Sequence, residues 1–279
     1  MSGERRHEGA RAWHATAPSP ELVTRLRRSP FLIALDIDGT VAPIAPTPDA
    51  ARVPEGTRNT LAKLASREGV YLAFVTGRGA ADGERIVGVP HTFVIGNHGI
   101  ELLDRDGVVH IDPQAQREAQ RVAQASSRLA TELAGIPGVF VEDKTWTLSV
   151  HYRLARRDDV PGVEALARAA AEAFQLRLTR GKEIFEIQPS VEVDKGTALL
   201  SLADALRVWS GGTLEGAILY AGDDRTDEDA FRALRARSRE AITVHVGTAR
   251  VNDILTAAEF TVGDPEEMRA LLDWLADLR

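Results

Sequence analysis

Two aspartates, Asp36 and Asp38, stand at positions i and i+2 where the apolar run Phe31-Leu32-Ile33-Ala34-Leu35 ends, and Gly39-Thr40 follow directly. In extended chain, side chains two residues apart point to the same side, so this spacing puts two carboxylates together at a strand tip. Neighbouring carboxylates repel, and such a pair asks for a cation or for shared protons. Hard oxygen ligands with open positions suit Mg2+, which commonly takes one or two carboxylates together with a substrate phosphate. A second acidic cluster, Gly222-Asp223-Asp224-Arg225-Thr226-Asp227-Glu228-Asp229, follows the apolar run Ala217 to Ala221. The dipole of a helix N-terminus accounts for Asp227 to Asp229, but not for Asp223 and Asp224 at the strand tip. Thr76-Gly77-Arg78 closes a third apolar run, Val70 to Val75, and a hydroxyl followed by Gly at a helix start makes a small phosphate cradle. Lys195-Gly196-Thr197 opens a helix with a cation where the dipole prefers an acid, which a phosphate neighbour would justify. Each has a plain structural alternative: capping aspartates, acids at a helix start, a common Thr-Gly turn, a solvated lysine.

The elements that must hold these residues are legible as alternating strands and helices. Phe31–Leu35, Val70–Val75 and Thr92–Ile95 read as strands buried on both faces, with a helix over 54–68 and a short helix after Arg78. That order predicts an α/β fold with a doubly wound, mostly parallel sheet, whose ligands bind at the C-terminal strand ends. From Ile100 the pattern changes. A hairpin (100–103 and 108–111) is expected, then a helix over 113–134. Strands at 139–141 and 147–152, a helix over 161–174 and strands near 176–179 and 183–187 follow. After Pro189 come a helix over 195–209, strand 217–221, helix 227–235, strand 242–246 and helix 265–278. The expected organisation is a tail at 1–29, a core at 30–112, an inserted α+β cap at 113–189 and the rest of the core at 190–279.

The chain has 279 residues, 34 Lys plus Arg, 41 Asp plus Glu, a formal charge of −7 and no cysteine. The last point removes disulfides, thiolate metal sites and thiol nucleophiles. The acidic balance argues against nucleic acid as partner. No segment approaches the ~18 apolar residues of a membrane span. Arg5, Arg6, His7 and Arg11 precede no apolar stretch, so the N-terminus does not read as a secretory signal but as a poorly ordered tail, and a cytoplasmic enzyme is expected.

Taken in order, Asp36-x-Asp38-Gly39-Thr40, Thr76, Lys195 and Gly222-Asp223-Asp224 resemble the four motifs of the haloacid-dehalogenase superfamily of phosphotransferases, with the insert in the position of a C2-type cap. The resemblance implies that Asp36 attacks phosphorus and that Asp38 serves as acid and base. Mg2+ would be held by Asp36, the backbone carbonyl of Asp38 and Asp223, with Asp227 assisting directly or through neighbouring groups. Thr76 and Lys195 would bind the phosphoryl group.

A finer likeness is to the trehalose-6-phosphate phosphatase family. It is carried by Gly96-Asn97-His98-Gly99-Ile100-Glu101, Ser149-Val150-His151-Tyr152-Arg153, Gly181-Lys182-Glu183-Ile184-Phe185-Glu186, Val193-Asp194-Lys195-Gly196 and the run Gly222 to Phe231. That likeness implies a sugar-phosphate substrate, trehalose 6-phosphate, hydrolysed in the last step of trehalose biosynthesis. Gly77, Arg78, His98, Glu101, His151, Arg153, Lys182, Glu186 and Asp224 become substrate-binding candidates, and coupling to a separate trehalose-6-phosphate synthase becomes an option. One departure stands out: the family has Glu-x-Arg-Pro where this chain has Glu186-Ile187-Gln188-Pro189, and Gln lacks the charge and fork of Arg. It motivates an alternative substrate, such as sucrose 6-phosphate or a glycosylated glycerate phosphate. A silent sugar-phosphate-binding domain and a phosphomutase are further alternatives. Asp143-Lys144-Thr145-Trp146-Thr147 resembles the P-type ATPase phosphorylation motif but has Trp in place of its Gly and is set aside.

Overall fold

Residues 10–13, 18–181, 183–210, 213–248, 250–251 and 254–278 are described in the structure, a computed structural model. The chain divides into two units, Met1–His110 with Val193–Arg279, and Ile111–Glu192. In chain order the first unit begins with β1 (Arg11–Ala12), α1 (Pro20–Leu26), β2 (Phe31–Leu35), α2 (Glu55–Ala65), β3 (Val70–Val75), α3 (Ala80–Val87), β4 (Phe93–Gly96), β5 (Glu101–Leu103) and β6 (Val109–Ile111). The second unit holds α4 (Pro113–Leu133), β7 (Phe140–Asp143), β8 (Leu148–His151), α5 (Val160–Ala173), β9 (Arg177–Gly181) and β10 (Ile184–Gln188). The first unit resumes with α6 (Lys195–Ala205), the short pair β11 (Trp209–Ser210) and β12 (Thr213–Leu214), β13 (Ala217–Gly222), α7 (Arg225–Arg237) and β14 (Ile242–Val246). A second short pair, β15 (Arg250–Val251) and β16 (Ile254–Leu255), then β17 (Phe260–Val262) and α8 (Pro265–Leu278) complete it.

The nine-stranded sheet runs β1-β17-β14-β13-β2-β3-β4-β5-β6, and β1 to β4 of that row are mutually parallel. All five residues of β2 are fully buried, because alternate side chains enter two different cores. Phe31, Ile33 and Leu35 pack with Leu26, Leu61, Leu64, Ile86 and Leu272, from the helices of one face. Leu32 and Ala34 pack with Leu199, Phe231 and Leu234, from α6 and α7 on the other. The sheet is therefore doubly wound, an α/β fold.

Residues 11–13 correct the expectation of a poorly ordered tail ahead of a first element near Glu21. Arg11 and Ala12 add a parallel strand to β17, and Trp13 meets Phe260 and Trp274 edge-on at 5.1 and 5.6 Å. Ser19 caps α1 by accepting from the Leu22 N–H at 3.2 Å. The helix expected to reach Trp209 stops at Ala205 because Arg207 turns the backbone to φ +56°. In the second unit, β7-β8-β10-β9 form one antiparallel sheet. Val150, Leu148, Phe185 and Ile187 bury one face of it against Val122, Leu129, Val163 and Ala167 of α4 and α5.

Candidate active site

Strand register brings the sequence-distant motifs to one level. Leu35 lies opposite Phe74 of β3 and Ala221 of β13, so Asp36, Thr76 and Asp223 leave the sheet at the same end. The Asp36 N–H donates to the Ala221 carbonyl at 2.8 Å, extending the ladder to the site. The Asp36 side chain is buried. Its Oδ1 accepts from Lys195 Nζ at 2.8 Å, while among the described residues Oδ2 has only the Thr40 hydroxyl, 3.5 Å away. Burial pushes its carboxyl well above the usual range; Lys195 opposes this, and Asp227, Asp223 and Asp224 reinforce it.

Lys195 is not a solvated lysine. It is 3% exposed, and its ammonium bridges Asp36 Oδ1 and Asp227 Oδ1 at 2.8 Å each. Burial would lower its pKa, but Asp227 and Asp36 outweigh that and hold the group charged. A capping box fixes it at the first position of α6: Asp194 accepts from the Thr197 N–H at 2.7 Å, and the Thr197 hydroxyl accepts from the Asp194 N–H at 2.9 Å.

Asp36, Asp223 and Asp227 each place one carboxylate oxygen within 4.8 Å of the others. Asp223 is pressed against Gly39, where φ is +87° and an added Cβ would stand 2.1 Å from its Oδ2. Only glycine fits there. Hard oxygens around a carboxylate whose Oδ2 keeps acceptor capacity fit a divalent cation such as Mg2+. Two of the four expected contributors, Asp38 and Asp227, have carboxylates that are already engaged. The Asp38 carboxylate is gripped by a fork from Arg78, with Nε to Oδ2 at 2.6 Å and Nη2 to Oδ1 at 2.9 Å, so only its backbone carbonyl is left for the role that the family resemblance gives it. Asp227 is fully buried and already accepts four hydrogen bonds. Lys195 and the Tyr220 hydroxyl donate to Oδ1 at 2.8 and 2.5 Å, and the N–H groups of Asp223 and Asp224 donate to Oδ2 at 2.9 and 3.0 Å. A carboxylate has about four acceptor sites, so these bonds tie Asp227 to the loop and the lysine, as assistance through neighbouring groups would require.

The other core candidates divide. Thr76 is buried, and its hydroxyl accepts from the Arg78 N–H at 3.2 Å. Arg78 also donates to Asp82 at 2.8 Å and so positions Asp38. Gly77 lies beneath the His98 ring, which an added Cβ would meet at 2.6 Å, and the His98 N–H donates to the Thr76 carbonyl at 3.0 Å. Glu101, expected at the substrate, accepts with one oxygen from the Ala80 N–H at 2.6 Å, at the start of α3. Asp224 caps α7, accepting from the N–H groups of Thr226 and Asp227 at 2.8 and 3.2 Å.

In the second unit, the sheet face away from α4 and α5 is polar. His151 is held by Glu142 at 2.8 Å and stacks on Phe140 with centroids 4.3 Å apart. Glu142, Ser149 and Glu186 lie side by side in register, and the Lys144 ammonium stands 4.0 Å from Glu142 and 3.9 Å from Glu186. Arg153 pairs with Glu183 at 3.3 Å. Lys182 lies outside the described residues. Sequence reasoning missed Glu142 and Lys144. The available signal was strand alternation, since Glu142 and His151 fall on the face opposite Val141 and Val150. It also missed Tyr220, which looks like one more apolar residue of β13.

Behind the site, His245 lies opposite Gly222 and is buried, its Nδ1 without a partner among the described residues. Burial pushes its imidazole below the usual 6.5, against the pull of Glu228. The folded chain thus binds this proton less readily than the unfolded chain. Its stability should fall as pH drops below 6.5 toward the depressed folded value. Thermal melts from pH 7.5 to 5.5 should show a steeper loss for the parent than for His245→Asn; parallel curves would refute the assignment.

The trehalose-phosphatase family model matches residues 34–266. The trehalose-phosphate phosphatase of Mycobacterium avium is 40% identical over 88% of this chain and 62% of its own length, so the chain spans under two thirds of that relative. A crystal structure of a trehalose-6-phosphate phosphatase related protein has 26% identity and a TM-score of 0.75, over 88% of this chain and 97% of that one. The C-terminal domain of the Candida albicans trehalose-6-phosphate phosphatase shares the fold at 23% identity, with a TM-score of 0.80 over 97% of this chain and 99% of its own. Strand-tip carboxylates, buried lysine and acidic helix start all lie within the matched span, and the chain belongs to the trehalose-phosphatase family.

Proposed function

We propose that this chain hydrolyses trehalose 6-phosphate to trehalose and phosphate, with Asp36 as nucleophile. The observation that carries the reading is the buried Asp36–Lys195–Asp227 triad with Asp223 beside it, at the C-terminal ends of the central parallel strands. Asp36 Oδ2 attacks phosphorus, and the P–O bond to the sugar breaks as the aspartyl phosphate forms. Asp38 gives a proton to the leaving sugar oxygen, then takes one from the water that attacks the aspartyl phosphate, releasing phosphate and restoring Asp36. Arriving phosphate offers Arg78 a competing acceptor, which frees an Asp38 oxygen to carry that proton. Lys195 and Thr76 hold the phosphoryl oxygens, where charge stabilisation is the main catalytic contribution. Mg2+, held by Asp36, the Asp38 carbonyl and Asp223, would neutralise phosphoryl charge when bound.

The polar face of the second unit carries Glu142, Lys144, His151 and Glu186, groups that donate to and accept from sugar hydroxyls. We assign it the selection of the sugar. The substrate is a charged ester, and we place the reaction in the cytoplasm, coupled to the synthase that makes that ester. Gln188, buried at the end of β10 where the family has Arg, favours a second reading in which another sugar phosphate is preferred.

Phosphate release from trehalose 6-phosphate, glucose 6-phosphate and sucrose 6-phosphate tests both. A preference for trehalose 6-phosphate on the order of 100-fold in kcat/KM, lost with EDTA, is expected, since a site built for hydroxyls rejects sugars that leave its polar groups unpaired. Equal rates on all three would remove the substrate assignment and leave the core chemistry.

A further inference from the structure

We propose that Tyr220 is a positioning residue of the catalytic centre: its hydroxyl, acting through Asp227, fixes where the Lys195 ammonium stands beside Asp36. The proposal rests on the phosphatase reading above. Tyr220 is in β13, two residues before the strand tip, and is fully buried. Its ring packs on Phe231, centroids 5.5 Å apart, within the core that includes Leu199 and Leu234. Packing therefore asks for an aromatic ring, and phenylalanine would satisfy it. The hydroxyl is what packing leaves unexplained, because burying it is unfavourable unless it finds a partner.

That partner is Asp227 Oδ1, at 2.5 Å. The same oxygen accepts from Lys195 Nζ at 2.8 Å, and Lys195 reaches Asp36 Oδ1 at the same distance. The ammonium is thus suspended between two carboxylate oxygens, and among the described residues its third N–H is left for a phosphoryl oxygen. How strongly each oxygen draws it depends on what else that oxygen accepts. A hydroxyl on Asp227 Oδ1 spreads the negative charge of that oxygen and weakens its claim on Lys195. With the hydroxyl gone, Oδ1 holds the lysine as its only donor, and the ammonium moves toward Asp227 and away from Asp36 and the reacting phosphoryl group. Electrostatic stabilisation of a transition state is sensitive to displacements of this kind, whereas ground-state binding spread over many contacts is not.

The test is Tyr220→Phe in the full chain, alone and with Asp227→Asn. The single variant should keep its thermal midpoint within a few degrees, lower kcat about 10-fold or more, and change KM by less than about threefold. In the Asp227→Asn background, where the charge that transmits the effect is gone, adding Tyr220→Phe should change kcat by less than about twofold, because residues acting through one another are not additive. A single variant with kcat within twofold of the parent overturns the proposal, and so do losses that multiply in the double variant, which would mark Tyr220 as packing alone. The assay uses whichever phosphate ester of the panel the parent hydrolyses best. Failure on trehalose 6-phosphate alone thus removes the substrate assignment and leaves this test intact, while a parent that hydrolyses none of the esters overturns both.

Discussion

Asp36→Asn should abolish phosphate release, by on the order of 10³-fold or more, and yet leave the metal-free protein at least as heat-stable as the parent. The two effects have separate causes. Activity goes because the amide cannot form the aspartyl phosphate. Stability is kept because the site gathers four carboxylates, Asp36, Asp223, Asp224 and Asp227, around one buried ammonium, and burial together with their repulsion raises the Asp36 carboxyl. A neutral amide relieves that repulsion, keeps an oxygen to accept from Lys195, and leaves Lys195 paired with Asp227. The pH dependence has a definite sign. A carboxyl raised in the folded state disfavours folding above its folded pKa, and the penalty fades as pH falls through that value. The advantage of Asp36→Asn in EDTA should therefore shrink as the solution is acidified. Added Mg2+ should reverse the ranking, since ligand that binds the folded state stabilises it by mass action and the parent keeps the better ligand set. Phosphate assays and melts in EDTA and in Mg2+ check both halves. An EDTA melt in which the variant is clearly the less stable would mean that the Lys195–Asp36 attraction exceeds the repulsion among the acids.

Lys195→Met should also remove activity, by on the order of 10²–10³-fold, but with the opposite effect on stability. Removing one partner of a buried ion pair typically costs about 3–5 kcal/mol, because the remaining charge stays desolvated and uncompensated. Here two carboxylates are left, Asp36 and Asp227, both buried and each deprived of a 2.8 Å contact. Denaturant unfolding in EDTA should show the loss, and Mg2+ should recover part of it by supplying positive charge near Asp36. Lys195→Arg should not restore the parent, since a planar guanidinium cannot reproduce the single-atom bridge that the ammonium makes between Asp36 and Asp227. A Lys195→Met chain as stable as the parent in EDTA would show that the acids take up protons instead of repelling.

The sequence reveals the frame of this site more readily than its pairings. Runs such as Phe31–Leu35 and Ala217–Ala221 are long and wholly apolar, which only a strand covered on both faces tolerates, so the strand tips and the acids on them could be located directly. Two-residue strands such as β1 have no period to read, and β1 was taken for loose tail. Spacing also shows which side of a strand a carboxylate occupies, but not what fills its lone pairs. Asp38 and Asp227 look alike in sequence. One is forked by an arginine from β3's tip and the other is saturated by a lysine, a phenol and two backbone N–H groups. The Glu101 bond to the Ala80 N–H was not legible, because it depends on a chain reversal through Asn97 and His98, both with positive φ. Lys144 was set aside with the motif around it, since only the pairing of β7, β8 and β10 brings it between Glu142 and Glu186.

The division of the sheet by an inserted unit also shapes how the chain is made. During synthesis β2 gains β3 as a neighbour after a single helix, but its other neighbour, β13, emerges only after the whole of Ile111–Glu192. Through that interval the strand that carries Asp36 is the open edge of a half-built sheet, five consecutive apolar residues with unpaired backbone groups, the kind of surface that recruits other chains. Ile111–Glu192 has a hydrophobic core of its own and can form while β2 waits. Completion of the surroundings of Asp36 thus waits for the chain beyond the insert: Lys195, Tyr220, Asp223 and Asp227 all arrive after it. A nascent chain arrested before them holds Asp36, Asp38 and Thr76 without the lysine and the acids that surround Asp36 in the folded site.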